Sequence, residues 1–144
     1  FARFAPPVQA LLERVITVHL WGLHRHSVAD QWHKGHAVIL GDAAHPTLPF
    51  MAQGAVLALE DSWVLADALA LSGLDEGPAL YQARRRHRAV QVIEAANRNA
   101  RNYHYANPLV RALGHGVLGL ANRLAPEQVL GRFDWIYAHD VTKE

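Results

Sequence analysis

Apolar positions change rhythm several times along the chain, and each rhythm predicts a different element. Residues 15–26, "VITVHLWGLHRH", are rich in β-branched and aromatic side chains. Val15, Thr17 and His19 alternate there, which predicts one strand or two. Residues 36–42, "HAVILGD", hold the unbroken apolar run Val38, Ile39 and Leu40, the pattern of a short strand covered on both faces inside a parallel sheet. From Gly54 to about Leu71 the apolar residues, among them Val56, Leu57, Trp63, Val64 and Leu69, run almost all round a helix. That helix should be buried on most sides.

The segments between are punctuated by turn formers. Residues 7–12 follow "APP" and predict a short helix with proline near its first turn. "SVADQWHKG" is a polar connection, and "SGLDEGP" interrupts the helical pattern. Pro78 suits a first helical turn, and from there to about His104 neither Gly nor Pro occurs. The expectation is one helix of about 26 residues, about 40 Å long, stopped by Asn107-Pro108. Residues 109–124 continue as a helix despite Gly114, Gly116 and Gly119, and "RFDWIYAHDV" forms an aromatic tail.

Composition narrows the class. Hydrophobic residues make up 51% and charged ones 19%, so the 144 residues have enough apolar side chains for a core and are not a disordered tail. A net charge of +1 provides no broad basic footprint for nucleic acid. There is no cysteine, hence no disulfide or thiolate site. No apolar run reaches the roughly 18–20 residues of a membrane span, and no signal-peptide pattern is present. A cytoplasmic location is the default expectation. The chain begins with Phe1, and its lone methionine is Met51, so it is expected to be part of a larger protein.

Candidate chemistry concentrates in residues 38–61, "VILGDAAHPTLPFMAQGAVLALED". Asp42, ending an apolar strand, would lie where α/β proteins bind ligands, and a carboxylate there suits a donating hydroxyl. Its plain alternative is a turn held by its own backbone. Gly54 opens a helix, whose first N–H groups have no internal partner and carry partial positive charge. The intervening prolines fix an extended path. Together these features suit a polyol at Asp42 and a delocalised anion at the amides of Ala55 and Val56. His45 is expected to be a turn residue held by backbone bonds.

Other motifs weaken on inspection. "GHGVLG", residues 114–119, matches G-x-G-x-x-G, with Asp134 following at 20 residues, but helical sequence precedes it where a strand is required. "RRRHR", residues 84–88, reads as a helix face, with Arg84 and Arg88 solvated or paired with acids such as Asp61 or Asp67. The pairs His24 and His26, and His33 and His36, lack the further ligands of a metal site.

"GDAAHPTLPFMAQGAVLALEDSWVLADAL" resembles the second flavin-binding motif of the single-component FAD-dependent aromatic hydroxylases, the p-hydroxybenzoate hydroxylase superfamily. Within it the salicylate hydroxylase and 3-hydroxybenzoate 6-hydroxylase group is most similar. "WHKG" is similar to the Trp-x-x-Gly lead-in, "ALYQARRRHRAVQVIEAANRN" to the Arg-rich helix, and "APEQVLGRFDWIYAHDV" to the C-terminal end. The resemblance spans roughly residues 20–141. It implies an α+β fragment of an α/β flavoprotein: one or two N-terminal strands, one buried parallel strand, then mainly long helices. Residues 1–36 would end a substrate-domain sheet. Residues 37–144 would form the C-terminal part of the FAD-binding domain, with its N-terminal Rossmann half outside this chain.

The same resemblance implies the chemistry. FAD would be bound by Gly41, Asp42, Pro49, Gly54, Ala55 and Val56. Asp42 would hold a ribityl hydroxyl, Pro49 would lie near the ring, and the helix start would face the pyrimidine edge. NADH or NADPH would be the reductant, and a C4a-hydroperoxyflavin would hydroxylate a small phenolic or benzoate-like substrate. No residue of the chain is expected to act as catalytic acid or base. Met51 and Val56 depart from the glycine and asparagine found in many members. Expected partners are the aromatic substrate, the N-terminal half and, in some forms, a second copy; neither nucleic acid nor membrane is expected. A stand-alone, non-catalytic helical interaction module is the competing expectation.

Overall fold

The computed structural model describes residues 2–24, 26–103 and 107–143, without the side chains of 101–103. Its elements are helix α1 (Pro6–Glu13), strands β1 (His33–Lys34) and β2 (Ala37–Val38), 3-10 turns at Gly41–Ala43 and Pro49–Met51, and the long helix α2 (Gly54–Tyr103). Helices α3 (Pro108–Leu124), α4 (Pro126–Gly131) and α5 (Asp134–Tyr137) and a last 3-10 turn follow.

The fold is built on a bend in α2. Gly73 sits at φ 70° and ψ −170°, outside helical space, so the trace consists of two arms, 54–72 and 74–103. Glycine alone takes that conformation cheaply. The arms fold back on each other. A Cβ on Gly77 would lie 2.9 Å from Leu69 Cδ2 and 3.1 Å from the Ala68 carbonyl oxygen, so the backbones meet there. Arg84 pairs with Asp67, and Arg85 and Arg88 with Glu60. Partner numbers fall on one arm as they rise on the other, so the arms form an antiparallel hairpin. The break was expected at this place. The second arm begins a turn earlier than Pro78, and the expected end near His104 lies outside the described residues.

Trp32 is the centre of the main core. It packs with Ala44, Val64, Ala68, Tyr81 and Ala89, which brings both arms and the residues before them into one cluster. Its backbone N–H donates to Gln82 Oε1 at 2.7 Å and its indole N–H to the Ala29 carbonyl at 2.9 Å, so no polar atom is lost in burial. A second cluster joins Met51, Ala95, Ala96 and Ile136, with Phe133 packed against it.

Two expectations for strands are corrected. Residues 38–40 do not form a buried parallel strand. Ala37–Val38 pairs antiparallel with His33–Lys34, and Ile39 N–H adds one bond to the Trp32 carbonyl. Gly35, at φ +56°, turns the chain back just before the apolar run, so the nearest partner is its own hairpin neighbour. An unbroken apolar run of three is also compatible with an extended segment laid on helices, and here Tyr81 O–H donates to the Ile39 carbonyl at 3.4 Å. The one or two strands expected over 15–26 are absent from the described residues there, which carry no regular structure. Ile16 and Leu20 are fully exposed. β-propensity expresses fit to a neighbouring pleated surface, and among the described residues none lies beside this segment. Mostly helical with a two-stranded sheet, the chain is α+β.

Candidate functional site

The turn after β2 and the start of α2 face each other across an open cleft of about 570 Å³, lined among others by Leu40, Gly41, Asp42, Thr47, Pro49 and Gly54. Five of the six residues singled out in the sequence, Gly41, Asp42, Pro49, Gly54 and Ala55, lie on its wall. Val56 is not among the lining residues, and its side chain is exposed.

Local sequence explains the shape. Gly41 adopts φ +57°, and a Cβ there would come within 3.1 Å of Ala58 Cβ, so the turn presses onto the first arm as only glycine permits. The Gly41 carbonyl accepts the N–H groups of Ala44 and His45, each at 2.9 Å, which closes the 3-10 turn. Asp42 projects from it, exposed, and its carboxylate has no hydrogen-bond partner among the described residues. On the facing wall Gly54 is tightly placed: a Cβ would stand 3.2 Å from Thr47 Cγ2 and 3.8 Å from Asp42 Oδ1. Leu57 N–H is the first to reach back, at 2.8 Å, to the Gln53 carbonyl. The amides of Gly54, Ala55 and Val56 thus precede the helical ladder. Ala52, also on the wall, holds φ 53° and ψ 28°, a left-handed conformation costly for a residue with a Cβ.

Behind the cleft lies a buried charge network that the sequence only hinted at. Asp61, fully buried, accepts the Gly41 N–H at 3.0 Å and Arg85 Nε–H at 2.9 Å, and it pairs with His45 Nε2. Arg85 reaches Glu60 at 2.7 Å. Arg88 makes two bonds of 2.8 Å to Glu60 and also donates to the Trp135 and Ile136 carbonyls, tying in α5. An ionised Asp61 only accepts, so His45 carries its proton on Nε2. Burial opposes ionisation of Asp61, but the His45 and Gly41 hydrogen bonds and Arg85 outweigh it and hold its pKa below the usual carboxylate range. Glu60 is held low in the same way, against burial, by Arg88 and Arg85. Burial and the nearby Asp61 charge push the Tyr81 phenol up.

These contacts refine several expectations. His45 does take a backbone bond to Gly41, but its ring is also buried against Asp61 and lies tilted beside Trp32, the ring centroids 5.2 Å apart. Arg84 pairs with Asp67 as expected, while Arg88 takes Glu60 and Arg85 takes Asp61. "GHGVLG" lies within helix α3, so no strand precedes it, and Asp134 opens α5. Among the described residues no three His, Asp or Glu side chains are grouped to hold a metal.

Comparison with known proteins shows which family the chain belongs to. Residues 7–96 match the family described as FAD binding domain. The chain belongs to that FAD binding domain family. It is 32% identical over 142 residues to a 3-amino-4-hydroxybenzoate 2-monooxygenase of Streptomyces platensis, covering 97% of this chain and 34% of that protein. It is 39% identical over 102 residues to a 6-hydroxynicotinate 3-monooxygenase of Pseudomonas fluorescens, 69% of this chain and 26% of that protein. A salicylate hydroxylase of Pseudomonas putida is 32% identical over 146 residues, 98% of this chain and 32% of that protein. The chain thus spans about a third of the length of the curated relatives it matches. The FAD binding domain match runs through the whole cleft and through the arginines at 84–86 and 88 of the second arm.

No described helix is long and apolar enough to cross a membrane.

Proposed function

We propose that this chain is the C-terminal, FAD-contacting part of an NAD(P)H-dependent aromatic-ring monooxygenase. The observation that carries the reading is the pairing across the cleft of an unpartnered carboxylate, Asp42, with the free amides at the start of α2. The donor set fits the cofactor. Ribityl hydroxyls donate, and Asp42 accepts without needing a countercharge. The pyrimidine edge of the isoalloxazine gathers negative charge on reduction, and the amides of Gly54, Ala55 and Val56 answer it. Gly54 leaves room for the approach, and Pro49 forms the rim beside the ring. Val56 takes part through its backbone, since its side chain has no polar atom.

When bound, FAD would take a hydride from NADH or NADPH and deliver one oxygen atom of O2 to an electron-rich ring. This chain's residues would bind, orient and shield it. The names of the relatives, which act on hydroxybenzoates, a hydroxynicotinate and salicylate, support a small hydroxylated aromatic acid as substrate.

Asp42→Ala tests the reading. Removing a charge-assisted hydrogen bond costs about 1.5–3 kcal/mol, roughly a tenfold to hundredfold loss of FAD affinity. Quenching of flavin fluorescence during titration of the whole apoprotein that carries this chain measures it. Equal affinity in the variant would reduce Asp42 to a turn residue.

A further inference from the structure

Asp61 is not on the cleft wall, yet it holds the residue on which the cleft turn hangs. Gly41 accepts two turn-closing bonds at its carbonyl, from Ala44 and His45, and gives its own N–H to Asp61. The same carboxylate takes the His45 ring from the far end of the turn. One buried side chain on the first arm therefore fixes both ends of the segment that presents Asp42. Arg85 keeps that side chain in place, and Glu60 and Arg88 keep Arg85 in place. Glu60 is the natural contrast. It is as deep in the network, but it bonds to arginines and to no residue of the cleft turn.

We propose that Asp61 is a positioning residue of the cleft: by clamping the Gly41 N–H and the His45 ring, it sets the direction in which Asp42 offers its carboxylate. The consequence for FAD rests on the functional reading above; the clamp itself does not. Asp61→Asn keeps the shape and one acceptor oxygen but gives up the charge that grips three donors at once. A residue that merely stabilised the fold would act on the cleft no differently from Glu60.

The test compares wild type with Asp61→Asn and Glu60→Gln, using amide hydrogen exchange by NMR together with FAD titration of the whole protein that carries this chain. In Asp61→Asn, exchange at Gly41, Ala44 and His45 should accelerate, with second-arm amides still protected, and FAD should bind roughly tenfold more weakly. Glu60→Gln, which reaches Asp61 only through Arg85, should lower the melting temperature but change cleft-turn exchange and FAD affinity clearly less than Asp61→Asn does. Equal effects of the two variants on the cleft would overturn the proposal, as would an Asp61→Asn variant with unaltered Gly41 exchange. If the wild-type whole protein binds no FAD while Gly41 exchange still hinges on Asp61, the clamp stands and the FAD reading fails. Should Asp61→Asn not fold, acid titration of the wild type decides. The Gly41 amide shift must follow the Asp61 carboxylate carbon, and independent titration of the two overturns the clamp.

Discussion

The second arm of α2 and helix α3 are both helices and have opposite fates. Both are long, and α3 has the cleaner apolar stripe, with Leu109, Leu113, Val117, Leu120 and Leu124 along one side. Yet α3 buries none of its residues, whereas the second arm buries Tyr81, Arg85, Arg88, Ala89 and Val92. Amphipathic periodicity states which face a helix could bury. Burial also requires a partner of matched shape and charge. The second arm has one, because Gly77 lets the backbones approach and Glu60 and Asp61 answer its arginines. The network does not make the arm more apolar; it makes the pairing specific.

Removing one member of that network should have the largest effect. Arg85 has no exposed surface, and its loss takes one cation from two buried carboxylates, leaving Asp61 without an arginine partner. Arg85→Ala should cost about 3–5 kcal/mol, a large share of a typical domain's stability of about 5–15 kcal/mol. Arg111→Ala on exposed α3 should stay within about 0.5 kcal/mol. Urea melts of both variants give the comparison, and a loss below about 1 kcal/mol for Arg85→Ala would mean that the network relaxes around the gap.

Both halves of this contrast were partly legible in the sequence. The bend, the helix start at Gly54 and the clustering of Gly41, Asp42, Pro49, Gly54 and Ala55 depend on local chemistry: glycine, proline and the apolar period. Asn107 likewise caps α3, accepting Leu109 N–H at 2.9 Å. What could not be read was long-range. "RRRHR" gave no register, so the sequence could not tell that Arg85, not Arg84 or Arg88, meets Asp61 across 24 positions. Nor could it show that His45 would spend its ring on the same carboxylate. Strands failed for the same reason. A strand exists only beside another; the described residues of 15–24 join no sheet, and Val38 joins only the two-stranded hairpin with β1. "LED", residues 59–61, was the available signal: two adjacent acids inside an otherwise apolar helix need buried cations.

Acid should separate the two regions next. Glu60 and Asp61 are held below their ordinary values of 4.5 and 3.8. A carboxylate with a depressed folded pKa contributes stability that is complete above its ordinary value and is lost as pH falls through the folded one. The hairpin should therefore hold its melting temperature down to about pH 5 and lose it progressively below. The effect is smaller than that of Arg85→Ala, because a protonated carboxyl still accepts a hydrogen bond. Helix α3 contains no Asp or Glu to protonate. Residue-resolved NMR from pH 6 to 2 should show the arms loosening first. Simultaneous loss in both regions would show that α3 depends on the hairpin.

The arms' contact itself can be probed by a single methyl group. Gly77→Ala would place a Cβ 2.9 Å from Leu69 Cδ2 and 3.0 Å from Leu69 Cα. The side-chain carbon can swing away, but the backbone atom cannot. Overpacking of this kind costs about 1–3 kcal/mol, against which helix propensity returns at most about 1 kcal/mol. Net destabilisation of about 1–2 kcal/mol is expected in urea melts. A stabilised variant would show that the arms stand further apart than these distances state.

The smallest effect should carry the opposite sign. Gly116 lies in α3, with nothing within 4 Å of the position its Cβ would take. No steric term can then oppose the gain in replacing glycine by alanine in a helix interior, about 0.5–1 kcal/mol. The same substitution thus destabilises at Gly77 and stabilises at Gly116, and the sign depends on whether a second backbone lies opposite. For Gly116→Ala the gain should appear locally, as slower amide exchange through residues 112–120, more than in the global melt, because α3 buries no residue against the hairpin. If Gly116→Ala instead weakens the helix, some group must be occupying the space beside Gly116 in solution. The exposed stripe of α3 would then be covered, and its contrast with the second arm would disappear.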